Sequence, residues 1–115
     1  MLEVITLALA TPIAKIILDK LYEGMGSKLG EKVVEAASAP IQKLGQAVWN
    51  RCFKGKPGTE KVLEAAAKGS EPELKQMRDY LLKEMENPEF VGMVQPIVRE
   101  IHQVLVQMDD VNAEN

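Results

Sequence analysis

Apolar residues recur along this chain at the three- and four-residue spacing of amphipathic α-helices, and strand-like alternation is nearly absent. Ala, Leu, Glu, Lys, Gln and Met, which favour helices, dominate the sequence. The pattern predicts an all-α fold, a compact bundle of four long helices plus one short helix. At 115 residues the chain is long enough for one hydrophobic core. We therefore expect a single domain over residues 1–110 and a frayed tail over 111–115.

Capping residues, prolines and glycines give the expected limits of the helices. The predicted helices cover residues 1–22, 27–53, 59–68, 71–87 and 88–109. Pro12 is expected to bend or break the first helix and Pro40 to kink the second. Thr59 is a predicted N-cap, and Ser70 with Glu73 predicts a capping box. The second helix carries an apolar stripe expected in the core: Leu29, Val33, Ala37, Ile41, Leu44, Val48 and Cys52.

The stretch from Val4 to Leu18 is apolar on nearly every helical face and contains one charge, Lys15. A helix that is apolar all round must be enclosed by protein or enter a bilayer. Fifteen helical residues rise about 22 Å, less than the roughly 30 Å hydrocarbon core, so a constitutive anchor fits poorly. Glu3 stands where a secretory signal would carry basic residues. We expect a core helix at rest that can exchange its protein surroundings for lipid.

Glycines follow this helix closely, at Gly24, Gly26 and Gly30. Such a cluster permits a hinge between the first helix and the rest of the bundle, or close approach of two helices. A plain helix C-cap is the other interpretation of the same residues.

The formal net charge of −3 is divided unevenly, with +3 on residues 1–58 and −6 on residues 59–115. An acidic second half argues against nucleic acid as a partner, because phosphate binding needs a concentrated basic face. Basic residues of the first half can each add about 1 kcal/mol of attraction to an anionic membrane. Those expected to contact anionic lipid are Lys15, Lys20, Arg51, Lys54 and Lys56. Ordinary solvated surface residues are the alternative interpretation.

Catalytic chemistry finds little support in the sequence. His102 is the single histidine, and no nucleotide-binding, nucleophile-elbow or paired-cysteine motif occurs. Cys52 stands alone between Trp49 and Phe53, which predicts a packed thiol and a reducing compartment. We expect no enzymatic activity, no catalytic residue, no cofactor and no metal site.

The apolar helix from Met1 to Leu21, the glycine-rich junction and the helical bundle together resemble the HeLo-like cell-death domains. That group includes the fungal HeLo and HELL domains, the four-helix bundle of the necroptosis effector MLKL and the bacterial Bell domains. The second half, from Lys61 to Val91, is also similar to helical segments at the N-termini of bacterial defence and signalling proteins.

The resemblance implies a membrane-targeting cell-death effector of bacterial antiviral defence, cytoplasmic at rest and acting at the inner face of the cell membrane. Membrane lipids and further copies of the chain are then the expected partners, with the first helix inserting after oligomerisation. The residues expected to insert are Val4, Ile5, Leu7, Leu9, Ile13, Ile16, Ile17 and Leu18. The trigger and any signalling partner stay open.

Two other functions agree with the same residues. One is an adaptor or oligomerisation bundle, whose exposed apolar strip would receive a partner helix without any lipid. The other is an antitoxin or immunity-like bundle, which would protect a cell on expression rather than kill it.

Overall fold

Helical segments follow one another along most of the chain, in accord with its helix-favouring composition. The structure is a computed structural model that describes residues 5–114 and the side chains of residues 5–108. Its α-helices are α1 (Leu7–Leu21), α2 (Glu31–Ala36), α3 (Ser38–Val48), α4 (Thr59–Ala67), α5 (Glu71–Glu84) and α6 (Pro88–Glu114). A 3₁₀ helix (Met25–Lys28) follows α1 and a π helix (Trp49–Phe53) follows α3. The described residues contain no strand, which confirms the all-α class.

Helix α1 begins at Leu7, later than the predicted start, because Thr6 caps it. The Thr6 Oγ1 atom accepts a hydrogen bond from the Leu9 amide at 3.4 Å, and the amide of Ile5 donates to Gln46 Oε1 at 2.8 Å. Ile5 is thereby held against α3 in a non-helical conformation. Residues 1–4 lie outside the described part of the chain. The helix then continues through Pro12 without a break.

The predicted helix over residues 27–53 is wrong as a single element. Its first residues belong to the 3₁₀ helix, and α2 ends at Ala36. The C-cap Ala37, with a φ of −107° and a ψ of 22°, interrupts the helical backbone. Pro40 lies in the first turn of α3, where its missing N–H removes no hydrogen bond. The structure therefore has a boundary between two helices at Ala37, three residues before Pro40, in place of the predicted kink. At the other end, the Lys54 amide bonds to the Trp49 carbonyl at 2.8 Å, which closes the π turn.

The later helices begin and end close to the predicted residues, with three differences. Gly58, not Thr59, is the N-cap of α4, because the Thr59 hydroxyl donates to the carbonyls of Phe53 and Lys56. Ser70 caps α5, but its hydroxyl bonds the Glu73 carboxylate instead of a backbone amide, so the capping box is incomplete. Helix α6 runs to Glu114, beyond the predicted end at residue 109. These boundaries replace the predicted set of four long helices and one short one.

Helix α1 lies at the centre of the bundle. Helices α3 and α6 pack on each other, α4 and α5 form a second pair, and α1 lies against all four. Its buried residues are Leu9, Ala10, Ile13, Ala14, Ile17 and Leu18. One strip of the helix stays at the surface, with Ala8, Lys15 and Lys20 exposed. The helix is therefore enclosed on most sides but is not apolar all round.

Helices α1 and α3 approach each other at Gly45. This glycine is buried, and a Cβ atom at its position would lie 2.5 Å from the Ala10 Cβ and 2.9 Å from the Ile5 Cγ2. Real Cβ atoms do not make contacts this short. The absence of a side chain at Gly45 is therefore a condition for the depth at which α1 is buried.

We expect Gly45→Ala to destabilise the fold by roughly 1–3 kcal/mol, because the added methyl group overlaps Ala10 and must push α1 and α3 apart. Gly92→Ala is the matched control, since Gly92 is exposed in α6 and a Cβ there meets no atom within 4 Å. Alanine should stabilise that helix by about 0.5–1 kcal/mol. Urea unfolding measures both changes, and equal stability of the two variants would contradict the close packing at Gly45.

Candidate membrane-insertion site

The residues predicted to insert into a membrane lie mainly in the core of the resting protein. Five of them are buried: Ile5, Leu9, Ile13, Ile17 and Leu18. Leu7 and Ile16 are half-buried and pack against the same core. Val4 lies outside the described residues. The sequence pattern thus found the apolar side chains of α1, and the structure places them among the other helices.

The C-terminal end of α1 is fixed by a ring contact. Tyr22 follows the helix and stacks on His102 of α6, with ring centroids 4.3 Å apart. The Nδ1 atom of His102 is buried and has no hydrogen-bond partner. This surrounding indicates a packing role for His102, in which its ring holds the end of α1 against α6.

The three glycines predicted as a hinge have three different conformations. Gly24 has a φ of +79°, a left-handed backbone that favours glycine. Gly26 is buried, and a Cβ there would lie 2.0 Å from the Lys15 carbonyl oxygen. Gly30 caps α2 with a φ of −82°, and a Cβ there would meet no atom within 4 Å. Two of the three therefore need glycine, and Gly26 needs it because the 3₁₀ helix packs directly on the backbone of α1.

The five basic residues predicted to contact lipid are all exposed and belong to two regions. Lys15 and Lys20 lie on the surface strip of α1. Arg51, Lys54 and Lys56 belong to the π helix and the loop that follows it. In that second region Arg51 forms an exposed ion pair with Glu89 at 3.3 Å, a kind of contact that contributes little to stability.

Two helices together form a predominantly basic surface that the sequence did not predict. Clefts of about 360 and 330 Å³ run between α1 and α5, where Lys15 and Lys20 of α1 meet Lys75 and Arg78 of α5. Two acidic residues line them as well: Glu71, and Asp19, whose buried Oδ1 atom has no hydrogen-bond partner. No pattern in the sequence marked Lys75 and Arg78 as part of this surface, because only the packing of α5 on α1 brings them there.

Cys52 is buried, and its Sγ atom lies 3.8 Å from Glu84 Oε2. Burial, together with the negative charge of Glu84, raises the pKa of the thiol to about 12. The thiol is therefore protonated near neutral pH and is a poor nucleophile. The predicted packed thiol is confirmed by this burial.

Lys56 and Tyr80 form a polar contact beside Cys52. The Lys56 ammonium donates to the Tyr80 hydroxyl, which in turn donates to the Cys52 carbonyl at 2.9 Å. The hydrogen bond to Tyr80 raises the pKa of Lys56. The Lys56 ammonium thus lies at the hydroxyl end of the Tyr80 side chain.

Within the part of the chain that the structure describes, no helix combines the length and the apolar character needed to cross a membrane. Comparison of the chain with protein-family models, with curated proteins and with solved structures found no significant match. The resemblance to HeLo-like domains therefore stays a prediction from the residues of this chain.

The contact between the 3₁₀ helix and α1 can be tested at two glycines. We expect Gly26→Ser to destabilise the protein by roughly 1–3 kcal/mol, because the new side chain collides with the Lys15 carbonyl. Gly30→Ser introduces the same residue at an open N-cap position, where serine is favoured, and should stay within about 0.5 kcal/mol of the parent. Thermal or urea unfolding measures the difference. A well-tolerated serine at position 26 would contradict the packed connection.

Proposed function

We propose that this chain is a membrane-targeting cell-death effector domain that permeabilises a membrane with α1 after oligomerisation. The observation that carries the proposal is the position of α1, a helix with a wide apolar face at the centre of the bundle and in contact with both helix pairs. No polar or charged residue is buried among the described side chains, so apolar contact dominates the core that encloses α1. The hydrocarbon core of a bilayer is also apolar.

The free energy gained by burying α1 limits the conditions under which this helix can leave the bundle. Burying a Leu or Ile side chain contributes roughly 1.5–3 kcal/mol, so Leu9, Ile13, Ile17 and Leu18 together contribute roughly 6–12 kcal/mol. Whole domains are stable by about 5–15 kcal/mol. In water, therefore, separation of α1 amounts to unfolding. Near a bilayer the lipid offsets the loss, so release is coupled to the membrane.

The length of α1 determines the form that insertion takes. Its 15 residues rise about 22 Å, which is shorter than a bilayer core of roughly 30 Å. A single copy would have to thin the bilayer or lie in its interface. Several copies share that cost, which is why the proposal includes a homo-oligomer in the active state.

Positive charge favours the inner face of a cell membrane as the target. Lys15 and Lys20 lie on the exposed strip of α1, and each can add about 1 kcal/mol of attraction to anionic lipid. In the setting that the resemblance to Bell domains suggests, insertion would kill an infected bacterium and so limit a virus.

The adaptor alternative needs an exposed apolar strip to receive a partner helix. Among the described side chains, Val106 is the exposed large hydrophobic residue, at 37 % exposure. A single residue does not form such a strip, so the exposed side chains give the adaptor function little support.

We expect Ala8→Glu to impair membrane insertion and to leave folding unchanged. Ala8 is exposed on α1, so the resting bundle should unfold at nearly the parent temperature. On insertion the new carboxylate must enter lipid near the first turn of α1, where the cost is smaller than the roughly 2.5–3.5 kcal/mol of a helix centre, and dye release from anionic vesicles should fall several-fold. The protein is clustered through a C-terminal dimerising fusion, and release of an encapsulated dye is followed.

Ala39→Glu is the matched control, because Ala39 is exposed on α3 and receives the same charge outside α1. It should leave dye release at the parent rate. Sealed vesicles on clustering of the parent protein, or equal release by the two variants, would contradict the proposal. Expression in bacteria that protects cells instead of depolarising them would favour the immunity-like alternative.

A further inference from the structure

An apolar cleft lies away from the basic surface between α1 and α5. The π helix, α4 and α5 enclose a cleft of about 260 Å³, lined chiefly by Phe53, Pro57, Val62, Leu63, Met77 and Tyr80. This volume is just below the range of about 300–1,000 Å³ typical of small-molecule pockets. The cleft therefore suits a slender ligand better than a folded helix, whose diameter is about 10–12 Å.

The loop that adjoins this cleft carries positive charge. None of the residues that line the cleft is charged. Lys54 and Lys56 are exposed in the loop, whereas Arg51 is paired with Glu89, and Glu60 follows the loop in α4. Glu84 does not line the cleft, but its carboxylate lies against the Cys52 thiol and interacts electrostatically with Lys56.

One of these cations, Lys56, lies where the cleft meets the loop. Its Nζ atom lies beside the Tyr80 hydroxyl, 5.0 Å from the centroid of the Tyr80 ring, and Tyr80 lines the cleft. The hydroxyl of Tyr80 donates in turn to the Cys52 carbonyl. An exposed ammonium group is thus adjacent to the apolar cavity.

We propose that this cleft binds one acyl chain of an anionic membrane lipid, with Lys56 next to the charged end of the ligand. An apolar cavity with a cation at its edge is complementary to a molecule that has a hydrocarbon chain and one negative head. The inference deepens the proposed function, on which it rests for the source of the lipid. It assigns lipid recognition to a surface that does not include α1.

Soluble alkanoates test this site without any membrane. Hexanoate, octanoate and decanoate, each below its micelle concentration, are titrated while the methyl signals of the methionines are followed by NMR. We expect the Met77 methyl to shift and the Met25 methyl, which does not line the cleft, to stay unchanged. Affinity should rise roughly fourfold for each methylene until the cavity is filled.

Two pairs of variants test the contribution of the cavity and that of the Lys56 cation to binding independently. Gln76 is exposed and lines the cleft, so Gln76→Trp should block it and weaken octanoate binding about tenfold, whereas Gln103→Trp on α6 should have no effect. Lys56→Gln should weaken octanoate several-fold and leave the neutral analogue octanol unchanged. Lys43→Gln, an exposed control on α3, should change neither. An unshifted Met77 signal, or octanol bound as tightly as octanoate, would overturn the proposal.

Vesicles of phosphatidylglycerol test whether the bound acyl chain comes from a membrane lipid. We expect Gln76→Trp to bind them more weakly than Gln103→Trp does. Equal vesicle binding by these two variants would overturn the membrane source and leave a free fatty acid as the ligand. Vesicle leakage without octanoate binding would overturn this site alone, whereas octanoate binding without leakage would overturn only the permeabilising function.

Discussion

The burial of α1 between two helix pairs is the interaction on which the rest of the structure depends. Helices α3 and α6 form one pair, α4 and α5 form the other, and α1 lies against both. A direct link between the two sides runs through the π helix, where Phe53 and Cys52 contact Tyr80. Without α1 the facing surfaces of both pairs would be exposed to water, a loss comparable to the stability of a whole domain.

In the function we propose, this arrangement would couple release of α1 to self-association. A bundle that loses its central helix exposes two apolar faces, which can be covered by collapse of the pairs onto each other or by another copy of the chain. The close contacts at Gly45 and Gly26 oppose such a release in water, because each places backbone directly on α1. Insertion and oligomerisation are therefore expected to occur together, at a surface that supplies lipid.

The sequence predicted the helical class and most buried faces, because burial follows the spacing of apolar residues even where a helix is interrupted. The stripe that contains Ile41, Leu44 and Val48 is buried although the predicted single helix breaks at Ala37. Contacts between distant residues were not predictable. The Ile5 amide, just before α1, is bound by Gln46 of α3, and the basic clefts join Lys15 to Arg78 of another helix. Neither relation leaves a local pattern in the chain.

The distance between α1 and α3 in the presence of vesicles tests the proposed release of α1 most directly. Spin labels on cysteines at the exposed positions Ala8 and Ala39 leave the core intact, and Cys52 reacts slowly because it is buried with a pKa of about 12. In solution we expect the single distance that the packing of α1 on α3 sets. After clustering on anionic vesicles we expect a longer distance, in step with dye release. Vesicles that leak while the solution distance persists would contradict the release of α1.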